Sequence, residues 1–158
     1  MKLSHPLFQE LEYDDYEGYK TKAVLPFSGK EVEVDLILSE TFGNGGIEPG
    51  HCMAYEALLA GWQAIVPEVL HAILSYQNDE WGATDHTQSF PKFQTVEHVL
   101  EHTAFIGITL HACSPDYLGA RGRYAVLLFH AEWVNNDYRL LSVALLNEKV
   151  VEVSDQEL

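Results

Sequence analysis

Basic residues are what this sequence has least of. Nine Lys and Arg stand against 24 Asp and Glu, a formal net charge of −15. Phosphate backbones and anionic lipid are repelled by such a field, so neither nucleic acid nor membrane is expected as a partner. Cysteine is equally scarce. Cys52 and Cys113 cannot build a disulfide framework, and a metal cluster needs more of them. No apolar run reaches the roughly 18 residues that span a bilayer. The opening Met-Lys-Leu-Ser-His-Pro-Leu-Phe-Gln-Glu lacks the apolar stretch and small-residue cleavage site of a signal peptide. A soluble, cytoplasmic protein is expected. Low-complexity segments, linkers and repeats are also missing. The 158 residues, 47% hydrophobic and 21% charged, suit one domain with its own core.

What is present reads mostly as strands. The first 18 residues mix five acids with Leu7, Phe8, Leu11, Tyr13 and Tyr16, as an irregular edge or a short strand would. From Tyr19 to Phe27 and from Val32 to Leu38 apolar and polar residues alternate, and Ser28-Gly29-Lys30 between them is turn chemistry; the period of two predicts a hairpin. Gly43-Asn44-Gly45-Gly46 with Pro49-Gly50 is a loop. Its spacing fits neither phosphate-binding glycine motif, so no nucleotide site is read there. From Met53 to Tyr76 the period changes, with Leu58, Trp62, Ile65, Val66, Val69, Ile73 and Tyr76 forming one helical stripe. Pro67 predicts a kink or two abutting helices. Residues 78–92 are a polar loop, and Thr95 opens a short helix to about His102. Residues 104–110, 124–133, 138–146 and 150–153 then read as strands. The fold class expected is α+β: a mostly antiparallel sheet, an N-terminal hairpin plus a terminal meander, with the central helices packed on one face.

Several groupings could carry chemistry. His98-Val99-Leu100-Glu101-His102 matches the pattern of inverted zinc peptidases, in which two histidines one turn apart hold the metal and the glutamate activates water. The blander reading, a surface helix with a polar face, is favoured, because the helix is short and no third ligand is evident. His111, Cys113, His130 and Glu132 lie on neighbouring strands, and a Cys113–His130 pair would be nucleophilic if the two met. Cys52 stands where a helix dipole would activate it. Packing is the default for both thiols. Trp62 and Trp133 fall on apolar stripes and read as core. Trp81, in the acidic loop Asn78-Asp79-Glu80-Trp81-Gly82, reads as an exposed binding anchor.

The acids are not spread evenly. Residues 1–20 carry −3, residues 30–56 carry −5, residues 78–102 carry −4 and residues 147–158 carry −3, so everything else cancels. A solvated surface explains this; so does a patch that attracts a basic protein.

The order of elements resembles a group of uncharacterised bacterial domains of unknown function: an aromatic and acidic opening, a hairpin, a central helix feeding a Tyr, and a terminal meander containing Trp. The matching segments are Ile65 through Tyr76 with Gln77, Phe129 through Tyr138, and Leu141 through Val153. Asn135-Asn136-Asp137 stands where those domains have a Glu-His-Gly type of turn. Such domains look like the small immunity proteins that accompany polymorphic or contact-dependent toxins. The resemblance implies a cytoplasmic protein without catalysis or cofactor that neutralises one cognate basic toxin domain, nuclease-like, by occlusion. The residues expected at the contact are Glu12, Asp14 and Asp15 together with Asp79, Glu80, Trp81 and Asp85, extended by Glu97 and Glu101. The alternatives are a small metal-dependent hydrolase built on His98, Glu101 and His102, a Cys113/His130 enzyme, and a non-catalytic domain that forms a homodimer through an edge strand.

Overall fold

The computed structural model describes residues 2–41, 43, 46–81 and 91–158, with backbone alone for Glu80 and Trp81. Eight strands form one sheet in sequence order: β1 (Lys2–His5), β2 (Gln9–Asp14), β3 (Gly18–Phe27), β4 (Lys30–Leu38), β5 (Thr103–Leu110), β6 (Tyr124–Ala131), β7 (Leu140–Leu146) and β8 (Lys149–Ser154). Neighbours are antiparallel except β4 and β5, which pair in parallel from Asp35↔Gly107 to Leu38↔Leu110. Parallel neighbours need a long crossover. Here it carries helices α1 (Pro49–Tyr76) and α2 (Val96–His102), with one π-helical turn, Gln77–Trp81, after α1. The architecture is α+β, with an antiparallel majority as the sequence pattern predicts.

Turn chemistry sets the hairpins. Ser28 and Gly29 both adopt positive φ, and so do Asn147 and Glu148 between β7 and β8. Such two-residue turns follow the right-handed twist of the strands. Glu148 is an unfavourable residue for that conformation. Arg123 holds it, donating from Nε and Nη2 to the two Glu148 carboxylate oxygens at 2.8 and 2.9 Å. Gly122 leaves room for this clasp, since a Cβ there would lie 2.3 Å from the Asn147 side chain.

The alternating residues of β3 to β7 that face α1 form the core. Phe27, Phe105, Phe129 and Trp62 pack ring to ring at 5.1–5.9 Å between centroids. Trp62 donates from Nε1 to the Pro26 carbonyl at 2.6 Å, and Trp133 to Thr103 Oγ1 at 2.9 Å. Both tryptophans are buried core residues, as their stripes predict. By length and composition α1 would also pass for a membrane-crossing helix, although no unbroken apolar run in it reaches that length. Its apolar stripe, Leu58, Trp62, Ile65, Val69 and Ile73, is buried in the core cluster it forms with the sheet.

Of the two readings of the opening segment, the strand holds: it forms two short paired strands, with Leu11 and Phe8 reaching the core. Two local expectations are corrected. Pro67 does not divide α1 into two abutting helices: the helix is one element of 28 residues. Pro67 and Gln63, whose carbonyl would have received the missing N–H bond, are both exposed, so water can satisfy that acceptor. Trp133 lies just beyond β6, in a turn and not in the strand.

Candidate functional site

The sheet has a second face, away from α1. Along β3 it presents Lys20, Lys22, Val24 and Pro26, and along β4 Ile37, Asp35, Glu33 and Glu31, in opposed pairs. Glu12 of β2 lies opposite Lys20 and adds to this row. Val24 is 57% exposed and Ile106, at the bulge in β5, 41%. The surface is therefore an acidic field around a few open apolar side chains, carried by paired strands.

Its bases are largely spent within the molecule. Lys22 pairs with Asp35 across the strands, Lys20 with Glu17 at 3.0 Å and Asp14 at 3.9 Å, and Lys2 with Glu10 at 3.3 Å. Arg123 is taken by Glu148, Lys149 by Glu68 and Arg121 by Asp116. Exposed pairs of this kind add little stability, yet they decide where charge remains. Among the described residues, no Lys or Arg forms an ion pair with Glu12, Asp15, Glu31 or Glu33. Asp14 differs. Its Oδ1 accepts from the backbone N–H groups of Tyr16 and Glu17 at 2.8 and 3.0 Å. Those bonds, with a smaller contribution from Lys20, hold its carboxyl below the usual range. It shapes the β2–β3 turn.

The residues predicted at a contact surface do not converge. Glu12 lies on β2, and Asp14 and Asp15 at the turn where β3 begins. Glu97 and Glu101 are exposed on α2. Glu97 borders a largely apolar cleft of about 670 Å³ with Ser28 and Gly29, at the far end of β3. Ten residues of strand put about 30 Å between those ends. Asp79 sits in the π-helical turn and borders β8, six strands from β2 in the sheet order. The Glu80 and Trp81 side chains and Asp85 lie outside the described residues. Glu31 and Glu33, on the same face as Glu12 but farther along β3, opposite Pro26 and Val24, are absent from the expected set. Their signal was there: strict alternation with Val32 and Val34 puts them on the wet face of a hairpin.

The catalytic groupings are dispersed as well. Cys113 follows the end of β5 that pairs with Ala125, whereas His130 faces Ala104 at the other end. About 15 Å of strand or more lies between them, so they form no Cys–His pair. Burial pushes the Cys52 thiol up, and Glu56 adds to that, the reverse of an activated thiolate. The start of α1 is occupied by the chain itself: a Cβ on Gly50 would lie 1.8 Å from the Ala112 carbonyl oxygen. On α2, Thr95 caps the helix by accepting from the His98 N–H at 3.3 Å. His98 Nδ1 accepts from the Gln94 N–H at 3.2 Å, and His102 Nδ1 bonds Glu132 at 3.0 Å while its ring stacks on Phe93. Among the described residues no three His, Cys, Asp or Glu side chains gather closely enough to hold a metal ion.

Two further histidines serve the frame. Buried His51 accepts the Glu48 N–H at Nδ1 and donates from Nε2 to the Ser39 carbonyl at 2.6 Å, tying the start of α1 to the end of β4. His111 bonds Glu40 at 3.2 Å and meets Tyr124 edge-on at 5.0 Å. Burial lowers the His111 pKa, with Glu40 opposing and His51 adding to the shift.

A model of the family described as Domain of unknown function (DUF6985) matches residues 7–158, and the chain belongs to that family. No curated protein and no solved structure matches it.

Proposed function

We propose that this family member is a small cytoplasmic binding protein that occludes a basic protein domain, and that the open face of β2–β4 is its contact surface. The partner implied by the resemblance to immunity proteins is a cognate bacterial toxin domain of nuclease type. The observation that supports this reading is the row Glu31 and Glu33, with Glu12 farther along the same face, none of them in an ion pair with a Lys or Arg among the described residues, beside exposed Val24 and Ile106. Apolar side chains supply an interface with anchors, while a surrounding field of one sign speeds encounter and rejects wrong partners. Paired strands hold the row rigid, so little order has to be created on binding.

The test is co-expression with candidate basic toxin domains drawn from the genes that flank this one. Wild-type protein restores growth, and Glu31→Lys/Glu33→Lys does not, although it folds. In vitro the complex weakens steeply between about 0.05 and 0.5 M NaCl, as the Debye length shrinks below the spacing of the charges. Binding that ignores salt, or rescue by the double variant, removes this surface from the account.

A further inference from the structure

The two edges of the sheet are unlike. β1 is four residues long, bears Lys2 paired with Glu10 and runs into Pro6, the usual guards against strand addition. β8 ends the sheet order on the other side and, among the described residues, pairs with β7 alone. It carries Val150, Val151 and Val153, and Val151 is 43% exposed. Between β8 and α1 runs a groove of about 550 Å³, bordered by residues 150–155 on one side and by Ala72, Ser75 and Tyr76 on the other. Asp79, Glu152 and Asp155 line it; no Lys or Arg among the described residues does. The Lys149–Glu68 pair, at 3.4 Å, stands at the other end of the strand.

We propose that the β8 edge accepts an extended Lys- or Arg-rich segment of a protein partner as a ninth strand, laid in the groove beside α1. An edge strand offers alternate backbone N–H and C=O groups, which supply affinity without reference to sequence; flanking side chains then choose the guest. Here Asp79 flanks the edge beside α1, Glu152, opposite Ala144, flanks it from the other face of the sheet, and Asp155 stands at its end; the guest they choose is basic. A second copy of this chain is the poorer guest, since its own segment 149–155 carries one Lys against Glu152 and Asp155 and so is not basic. The inference goes beyond the proposed function, because it concerns another part of the sheet and backbone pairing, and it stands or falls separately.

The probe is a synthetic peptide of about ten alternating Lys and Val residues, offered to the intact protein and followed by calorimetry and backbone amide exchange. The peptide binds and protects β8 amides from exchange. Methylating every second peptide nitrogen weakens binding at least about tenfold, because those groups no longer pair with an edge. Asp79→Lys/Glu152→Lys weakens it about tenfold, while Glu56→Lys/Asp116→Lys, with the same net charge, does not. Thermal melts confirm that both variants fold. Equal binding of the methylated peptide, equal loss in both variants, or no binding by the wild type overturns the proposal. So does sedimentation of a dimer that Val151→Lys dissociates, since the edge then belongs to a second copy.

Discussion

The face of the sheet turned away from α1 is two surfaces in one. Over β3 and β4 it is open, with Val24 and three neighbouring acids in solvent. Over β6 and β7 it is closed: Val126 is 0% and Ala144 1% exposed, packed with Tyr124 under Leu118, Leu128, Leu146 and Leu158. Leu118 comes from a 3-10 turn, Asp116–Leu118, in the loop after β5. Leu158 comes from the C-terminal segment, tied down by the Asn136 side-chain amide donating to the Asp155 carbonyl at 2.8 Å. Both halves follow the same period of two. What differs is the supply of covering segments, and that supply separates a surface that can meet a partner from one that is already core.

The sharpest way to break this contrast is to place one charge in each half. Val126→Asp buries a carboxylate without a partner and costs about 3 kcal/mol or more of unfolding free energy by urea titration. Val24→Asp stays within about 0.5 kcal/mol of wild type. Comparable losses from the two changes would mean that both faces are covered. A smaller effect comes from trimming the cover: Leu118→Ala and Leu158→Ala each cost on the order of 1 kcal/mol, since both side chains are only partly buried.

Acid provides a milder probe of the same cover. The folded pKa of His111 lies below its ordinary value of 6.5, so the unfolded chain binds the proton more readily. Stability is therefore held above pH 6.5 and falls as pH drops through that value. Chemical denaturation at a series of pH values shows this slope, and His111→Gln flattens it. Least of all should stability respond to Glu31→Lys/Glu33→Lys, which stays within about 0.5 kcal/mol of wild type, since the open face is solvated in both. If it unfolded the protein, the row Glu31–Glu33 would be structural and not a contact surface.

Much of this fold could be read from the chain, for a physical reason. A strand with one wet side announces itself by alternation, and residues 19–38 do so plainly, whereas residues 124–131, buried on both faces, show as an apolar run. The stripe Leu58 to Ile73 gave the helix in the same way. Alternation does not say which strands are neighbours, so the parallel β4–β5 pairing was invisible: its partners are about 70 residues apart. Nor does composition reveal three-dimensional gathering. Glu12 and Asp79 belong to equally acidic segments, yet one lies on β2 and the other beside β8. Cys113 and His130 are near in sequence terms and stand at opposite ends of one ladder. At Pro67 the helix runs on as one element, and residue identity alone could not choose between that and two abutting helices.

The β4–β5 seam has a consequence for how the chain assembles. Strands on either side of it are joined by connections of 13 residues or fewer, so two meanders can form early and independently. Only the seam requires joining positions across the long helical insert, which makes it the topologically slow event. Until it forms, β4 and β5 each display a naked flank bearing Leu36, Leu38, Ile108 and Leu110, all destined for complete burial. A nascent chain halted there would be sticky on both sides at once, and variants that delay the joining step should precipitate during synthesis even when the finished protein is sound.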